Sequence, residues 1–322
     1  MLVLGSLFGC VEPILHIVAL LASRPIVAAA TQRDEEAQKA RAAYVIGNSD
    51  LLTDANLYAT YLGYRRDRRP MREIKAWCEQ LGLSISSLQD IEMTRTTILR
   101  SLEELRLVDS AYVKAWRTDG PSWPHKPGRH ALDANATNLN LLRALLVASL
   151  WPSVARVDQP SAKYNASSSG AVLKEAMAKE VHYFDEHDGR VFLHPGSVLF
   201  HATRYKSNYV AVCNKSANAT TNKTYLRDAT EAPLYALLLF GGPMYVDHNM
   251  SGLTISTNGV AGPDAWIKMR ASARIGVLCR QLRQLLNMTL EGGVEDPQHL
   301  LSAESQQVVK AMIALVTQDG LE

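Results

Sequence analysis

The sequence has few cysteines, and none of them lies in a pattern that binds metal. It contains four cysteines and nine histidines in 322 residues. No pair of cysteines has the short spacing of a zinc site, and there is no H-E-x-x-H motif. We therefore predict no metal, no disulfide framework and four free thiols in a reducing compartment. These thiols belong to Cys10, Cys78, Cys213 and Cys279.

The sequence also lacks a strong net charge of either sign. Its formal net charge is +2, with 20% charged and 47% hydrophobic residues. This balance excludes a uniformly basic protein, but it allows a basic face in one region of the surface. The length and the apolar content are sufficient for two domains of ordinary size with packed cores.

An apolar run long enough to span a bilayer is missing as well. The first 30 residues are rich in Leu, Val, Ile and Ala, but Glu12, Pro13 and His16 interrupt them. No basic region precedes them, as it would in a signal peptide. Gly9, followed by Glu12 and Pro13, indicates the end of one helix and the start of another. We expect a buried helical hairpin in this segment.

Helical periodicity dominates residues 14–150. The capping sequence Asn48-Ser49-Asp50 predicts a helix start, and residues 84–108 repeat apolar side chains every three or four positions. Residues 31–41 carry both signs of charge and predict a solvated helix or connector. Residues 139–151 are apolar on nearly every side, which favours a buried helix. Turn-forming residues predict a loop at 119–138 and a domain boundary at 158–170.

The helical spacing of apolar residues gives way to a shorter pattern after residue 181. There, short segments bounded by Gly, Pro, Asn or Asp indicate strands. Several short strands at this spacing predict a small barrel or sandwich, and an α+β fold for the whole chain. Two helices follow, at 272–290 and 302–316, with a loop at Gly292-Gly293. The predicted strands are 181–184, 190–193, 208–212, 225–227, 234–240, 244–246, 253–255 and 265–269.

Two stretches resemble the C-terminal region of DEAH/RHA-type RNA helicases. The segment LGSLFGCVEPILHIVALLASRP, residues 4–25, is similar to the start of their helicase-associated (ratchet) domain. HPGSVLF, residues 194–200, and YLRDATEAPLYALLLFGG, residues 225–242, resemble their OB-fold. The resemblance covers about residues 1–290. It implies a ratchet-like domain at 1–157, a linker or insert at 158–180, an OB-fold at 181–270 and C-terminal helices at 271–322.

The resemblance implies a 3′-to-5′ RNA helicase as the parent, yet this sequence lacks the motor. It has no G-x-x-x-x-G-K-[ST] loop, so ATP and magnesium would bind to the missing RecA-like domains, and we expect no cofactor here. Asp34-Glu35-Glu36-Ala37 looks like a DEAH motif but is followed by Gln38, and we interpret it as a solvated charge run. The parent family is intracellular, and the inserts suggest its cytoplasmic branch.

The remaining chemistry is binding of nucleic acid. Residues 189–227 contain six Lys or Arg and no Asp or Glu, together with three tyrosines. OB-folds combine basic grooves with aromatic stacking platforms, so we predict contact with single-stranded or structured RNA. By analogy, two arginines of the helix at 84–108 would line the RNA channel. The candidates are Arg190, Arg204, Lys206, Tyr209, Lys215, Lys223, Tyr225, Arg227, Arg95 and Arg100.

Other interpretations of these residues stay open at this point. Each tyrosine taken alone favours packing of the barrel over base stacking, and Arg227 could pair with Asp228 at a strand end. The basic run Arg65-Arg66-Asp67-Arg68-Arg69 predicts a solvated turn, although contact with RNA or protein is possible. Two functions compete: a catalytically silent RNA-binding module, or a platform that docks the helicase core or an activator. In the platform, residues 237–240 and the N-terminal helices would be exposed.

Overall fold

A computed structural model describes most of the chain, and it consists of a helical part, a closed β-barrel and a C-terminal part. The described residues are 1–28, 31, 34–120, 123–124, 130–160, 164–167, 170–173, 178–218, 222–247, 252–295 and 302–318. The predicted loop at 119–138 and boundary at 158–170 lie partly outside these residues. Together the three parts give the predicted α+β fold.

The helical part begins with the predicted hairpin. Its helices are α1 (Leu2–Leu7), α2 (Val11–Leu21), α3 (Glu35–Ala42), α4 (Asp50–Arg66), α5 (Met71–Leu81), α6 (Ile85–Glu104), α7 (Ser110–Asp119) and α8 (Leu139–Leu150). Gly9, between α1 and α2, has a φ of +66°, a conformation that glycine adopts without strain. Helix α8 is buried along most of its length, as its uniformly apolar sequence predicts.

Local capping explains two of these helix starts. The Ser49 side chain accepts a hydrogen bond from the Leu52 N–H and begins α4, as its sequence predicts. The Asp34 carboxylate accepts hydrogen bonds from the N–H groups of Glu36 and Ala37, at the start of α3. The run that looks like a DEAH motif is therefore a helix cap followed by an acidic first turn. Negative charges at this end of a helix interact favourably with the helix dipole.

Five strands close the barrel in the order β1-β4-β5-β7-β6. The strands up to this point are β1 (Val154–Asp158), β2 (Tyr164–Ser167), β3 (Gly170–Leu173), β4 (His182–Asp185), β5 (Gly189–Leu193), β6 (Tyr209–Asn218) and β7 (Lys223–Glu231). Strands β5 and β7 are parallel, whereas the other barrel pairs are antiparallel. Strands β2 and β3 form a separate hairpin between β1 and β4.

The barrel begins earlier than the predicted domain start at residue 181. Strand β1 lies at the end of the segment assigned to the ratchet-like domain, yet it pairs with both β4 and β6 and closes the barrel. Its five residues carry too short a pattern to identify alone, and its partners lie far along the sequence. The predicted linker at 158–180 includes the β2–β3 hairpin instead.

The C-terminal part combines a three-stranded sheet with helices. It contains α9 (Leu234–Phe240), β8 (Met244–Asp247), β9 (Gly252–Ile255), β10 (Ile267–Arg270), α10 (Ala273–Glu295) and α11 (Ala303–Gln318). The sheet has the order β10-β9-β8. The predicted strand at 234–240 is wrong, because the segment LYALLLF has no β-branched residue and follows Pro233. Leu and Ala favour a helix in this setting.

The predicted loop at Gly292-Gly293 is also wrong, since α10 continues through both residues to Glu295. Each glycine costs a helix about 1 kcal/mol relative to alanine. Packing of α10 against α9, α11 and β8 offsets that cost. Tertiary contacts thus decide where this helix ends.

A buried carboxylate joins the helical part to the barrel. Asp50, the first residue of α4, accepts hydrogen bonds from the Ser197 hydroxyl at 3.0 Å and from the Val198 N–H at 2.8 Å. Its second oxygen accepts from the Ala229 N–H of β7 at 2.8 Å. The neighbouring Ser49 hydroxyl lies 2.7 Å from that of Thr230. These bonds fix the N-terminus of α4 against the barrel.

We predict that Asp50→Ala lowers the free energy of unfolding by about 2–5 kcal/mol, because the N–H groups of Val198 and Ala229 lose their acceptor. Urea unfolding followed by circular dichroism measures the change. The matched control is Asp67→Ala, whose carboxylate is half exposed in a surface pair with Arg66, and its effect should stay within about 0.5 kcal/mol. Equal losses in both variants would contradict the assigned role of Asp50.

Candidate nucleic-acid interface

The outer surface of β5 and β7 brings basic and aromatic side chains together. Val191, Leu193 and Leu226 are buried in the barrel core, so the alternate residues of both strands point outwards. The parallel register places Phe192 beside Tyr225. We call this surface the β5–β7 face, and it comprises Arg190, Phe192, His194, Lys223, Tyr225 and Arg227.

The aromatic rings of the β5–β7 face form a contiguous group. The ring centroids of Phe192 and Tyr225 are 6.2 Å apart with the planes inclined at 47°. The His194 ring meets Tyr225 edge-on at 6.3 Å. All three side chains are partly exposed. They therefore offer an apolar platform of the kind on which nucleobases stack.

Two cations lie against this platform. The Arg190 guanidinium carbon is 5.4 Å from the centroid of Phe192, and Lys223 Nζ is 4.8 Å from the same centroid. Both cations are exposed, and cation–π attraction holds them close to the ring. A phosphate reaching Phe192 would meet both positive charges.

Sequence reasoning missed Phe192 and His194 as members of this face. The alternation Arg190-x-Phe192-x-His194 shows that these three residues share one face of a strand. It does not show which strand lies beside them. The neighbour is β7, more than 30 positions along the sequence, and the pairing is parallel.

Arg227 lies at the edge of the face, beside a cavity of about 330 Å³ between the barrel and α4. No hydrogen-bond acceptor among the described residues contacts its buried Nε. The alternative of an Arg227–Asp228 ion pair is not found in the described part of the chain. The Asp228 carboxylate instead accepts a hydrogen bond from the Asn214 amide at 2.7 Å.

Carboxylates crowd the opposite wall of this cavity. Burial raises the pKa of Asp50 to about 6, against the effect of its three hydrogen-bond donors, and Asp228 raises it further. Burial and the charges of Asp50 and Asp228 also raise the pKa of Asp54, while Arg41 lowers it. Among the described residues, no three His, Cys, Asp or Glu side chains are arranged to hold a metal ion.

Lys215 does not join the β5–β7 face. Its ammonium group pairs with the buried carboxylate of Asp185 at 2.5 Å. Burial alone would raise the pKa of Asp185, but hydrogen bonds from Lys215 and from the N–H groups of His187 and Asp188 lower it below the ordinary value. The charge of Lys215 is therefore neutralised by Asp185.

Arg204 and Lys206 are exposed but lie at the other end of the barrel. The Lys206 N–H donates a hydrogen bond at 2.5 Å to the carboxylate of Glu231, the last residue of β7. Lys223 is the first residue of that strand. The nine residues of β7 separate the two ends by about 27 Å. The basic residues of 189–227 are thus divided between two places rather than gathered in one.

Two predicted RNA contacts are buried in the structure. Tyr209 is 4% exposed, and its hydroxyl bonds with both the N–H and the carbonyl of Lys268 at 3.1 Å. Arg95 is 1% exposed and its guanidinium lies 3.2 Å from the Trp116 ring centroid. Neither side chain presents a surface to RNA, so both predictions were wrong, and the two residues have packing roles instead.

Arg100, the other predicted contact on α6, is exposed.

The position of Arg95 follows from helical spacing. It lies four residues from both Ile91 and Leu99, which are buried, so it shares the inward face of α6. Burial lowers its pKa, while Tyr58, Tyr112 and Glu12 oppose that shift. The sequence held this signal, because Arg95 interrupts an otherwise apolar stripe.

A closed five-stranded barrel with a basic and aromatic outer face defines an OB-fold protein with a surface suited to nucleic acid. A family model for the oligonucleotide/oligosaccharide-binding (OB)-fold matches residues 142–245. A second family model, for the C-terminal domain in RNA helicases, matches residues 262–318. In the described part of the chain, no helix is both long enough and apolar enough to cross a bilayer.

Similar proteins cover essentially the whole chain. A protein of Mycosarcoma maydis named as a DEAH-box ATP-dependent helicase is 40% identical over 100% of this chain and 20% of its own length. The ATP-dependent RNA helicase DHX29 of Mus musculus is 26% identical over 98% of the chain and 20% of its own length. The DExH-box ATP-dependent RNA helicase DExH1 of Arabidopsis thaliana is 28% identical over 98% of the chain and 27% of its own length.

The chain therefore belongs to the DEAH/DExH family of RNA helicases and corresponds to the C-terminal part of its members. It spans about a fifth to a quarter of the length of these relatives. The resemblance of residues 4–25, 194–200 and 225–242 to this family is confirmed. The same segments supply Ser197 and Ala229, which bind Asp50 across the joint.

We predict that Arg95→Ala lowers the free energy of unfolding by about 3 kcal/mol, because a large buried side chain leaves a cavity beside Trp116. The matched control is Arg100→Ala on the same helix, with an effect within about 0.5 kcal/mol. Chemical denaturation of both variants measures the difference. An Arg95→Ala protein as stable as wild type would show that the residue is not part of the core.

Proposed function

We propose that this chain is the RNA-binding accessory module of an ATP-dependent 3′-to-5′ RNA helicase, with the β5–β7 face as its contact for single-stranded RNA. The observation that carries the proposal is the pair of exposed cations, Arg190 and Lys223, held over Phe192 beside Tyr225. Two of the relatives are named as ATP-dependent RNA helicases, which supports RNA as the ligand.

The face can bind RNA without reading its sequence. Arg190 and Lys223 would contact phosphates, which makes affinity depend on salt. Phe192 and Tyr225 would stack on successive bases, and every base has a face that can stack. His194 would extend the platform at one end.

Catalysis belongs to the rest of the parent protein in this proposal. The sequence has no phosphate-binding loop, so we expect ATP and magnesium to bind to the parent's RecA-like domains, in cis or in trans. The isolated chain should bind RNA without hydrolysing ATP. Its role in the parent is to hold the strand on which the motor acts.

Docking of the helicase core is the second candidate function. The argument from residues 237–240 fails, because Leu237, Leu238 and Leu239 are buried within the chain itself. A different feature favours docking: Leu278, Leu285 and Met288 of α10 are 53%, 48% and 65% exposed. Their substitution by serine should weaken binding to the RecA-like domains and leave RNA affinity unchanged.

We predict that Arg190→Glu with Lys223→Glu weakens binding to a 12-nucleotide single-stranded RNA at least tenfold. The slope of log affinity against log salt should flatten by about 1.4, because each phosphate contact with a single strand contributes about 0.7. Fluorescence anisotropy with labelled RNA at several salt concentrations measures both quantities.

Two other pairs test whether this effect is local. Arg274→Glu with Arg280→Glu makes the same charge change at exposed positions of α10, and we expect less than a twofold loss. Arg204→Glu with Lys206→Glu makes it at the opposite end of β7, with a loss smaller than that of the face. Equal losses in all three pairs would indicate a general charge effect and contradict the proposed site.

We predict that Phe192→Ala and Tyr225→Ala each weaken RNA binding by about 1–3 kcal/mol, because each removes a stacking surface. Unlike the charge variants, they should leave the salt slope unchanged. The control is Tyr245→Ala, which removes a tyrosine that is 38% exposed on β8. Wild-type affinity in both face variants would exclude base stacking there.

A further inference from the structure

The turn between α4 and α5 carries a dense cluster of positive charge. Its six exposed basic and two exposed acidic side chains give residues 65–75 a net charge of +4. Only one of the acidic groups neutralises a neighbour, since Asp67 pairs with Arg66 at 3.2 Å. The basic residues are Arg65, Arg66, Arg68, Arg69, Arg72 and Lys75, and we call them the α4–α5 basic turn.

Five of these six cations have no counter-ion in the part of the chain that the structure describes. Among the described residues, no Asp or Glu forms an ion pair with Arg65, Arg68, Arg69, Arg72 or Lys75. Like charges at such density repel one another. A polyanion bound to the turn would relieve that repulsion and release counter-ions.

Aromatic packing gives the turn a defined shape. The Arg69 guanidinium carbon lies 4.1 Å from the centroid of Tyr64. The Tyr64 ring packs edge-on against Trp77 at 5.3 Å, and the Trp77 N–H donates to the Tyr44 hydroxyl at 2.9 Å. All three rings are partly buried. The charges therefore project from a packed base formed by α4, α5 and Tyr44, which follows α3.

The basic turn lies away from the joint with the barrel. Helix α4 begins at the buried Asp50 and ends at Arg66, a span of 17 residues. At 1.5 Å per residue, its two ends are about 25 Å apart. The β5–β7 face borders the first half of α4, where Arg227 and Leu57 line the same cavity. The turn is consequently a separate surface.

We propose that the α4–α5 basic turn is a second RNA-contact surface, which binds phosphates of a strand extending from the β5–β7 face. This inference rests on the proposed function in that it takes RNA as the ligand. Five of the six cations are arginines, whose planar fork binds phosphate oxygens in pairs. The buried core of a protein interface is instead apolar and has few charged residues, and the turn exposes only Met71 among its large apolar residues.

The test reverses three charges whose side chains are exposed, in the variant Arg65→Glu/Arg72→Glu/Lys75→Glu. We expect at least a tenfold loss of affinity for a 20-nucleotide single-stranded RNA. The salt slope should flatten by about 2, as three phosphate contacts are lost. The matched control is Arg274→Glu/Arg280→Glu/Lys310→Glu on α10 and α11, with no more than a twofold loss.

Thermal unfolding checks that the variants remain folded. If the charge-reversed triple unfolds, the same three positions are changed to glutamine. Removing the cations should still flatten the slope by about 2, since the contacts are lost in either case. An unchanged slope in the folded glutamine variant would overturn the inference.

Measuring the Arg190→Glu/Lys223→Glu variant on the same RNA separates this inference from the proposed function. If only that pair weakens binding, the basic turn is not an RNA surface and the β5–β7 face stands. If only the triple weakens binding, the turn stands and the face fails. If neither does, both fail. Unchanged RNA affinity with lost binding of poly-glutamate would assign the turn to an acidic protein and overturn the inference.

Discussion

The buried carboxylate of Asp50 is the interaction on which the arrangement of the domains depends. It starts α4, and its two oxygens accept three hydrogen bonds from two separate segments of the barrel. Burial raises its pKa to about 6, so at neutral pH it remains largely ionised and able to accept all three. A single side chain therefore fixes a helix, the segment Ser197-Val198 and a strand relative to one another.

The other parts of the structure extend from this joint. The same strand that binds Asp50, β7, pairs in parallel with β5 and places Lys223 and Tyr225 beside Phe192. In the other direction, α4 carries its C-terminal arginines away from the barrel. The two candidate RNA surfaces are therefore held at a fixed distance by one helix. A strand that touched both would be held in one orientation.

Local sequence patterns predicted much of the secondary structure. Ser49 caps α4, and three- and four-residue spacing predicts α6, because both depend on neighbours within a few positions. The strand predicted at 234–240 failed because a short apolar run does not distinguish a strand from a buried helix. The place of Arg95 in the core was visible in its spacing from Ile91 and Leu99, but its charge favoured a surface role.

The sequence by itself determined the family, the α+β fold and the presence of basic and aromatic residues in 189–227. Only the tertiary structure decided which of them meet. Parallel pairing placed Arg190 and Phe192 beside Tyr225. Tyr209 is buried and Lys215 forms an ion pair with Asp185, so neither residue belongs to the β5–β7 face. The physical reason is that strand partners and buried charges depend on contacts between distant segments. A local pattern shows only which residues share a face.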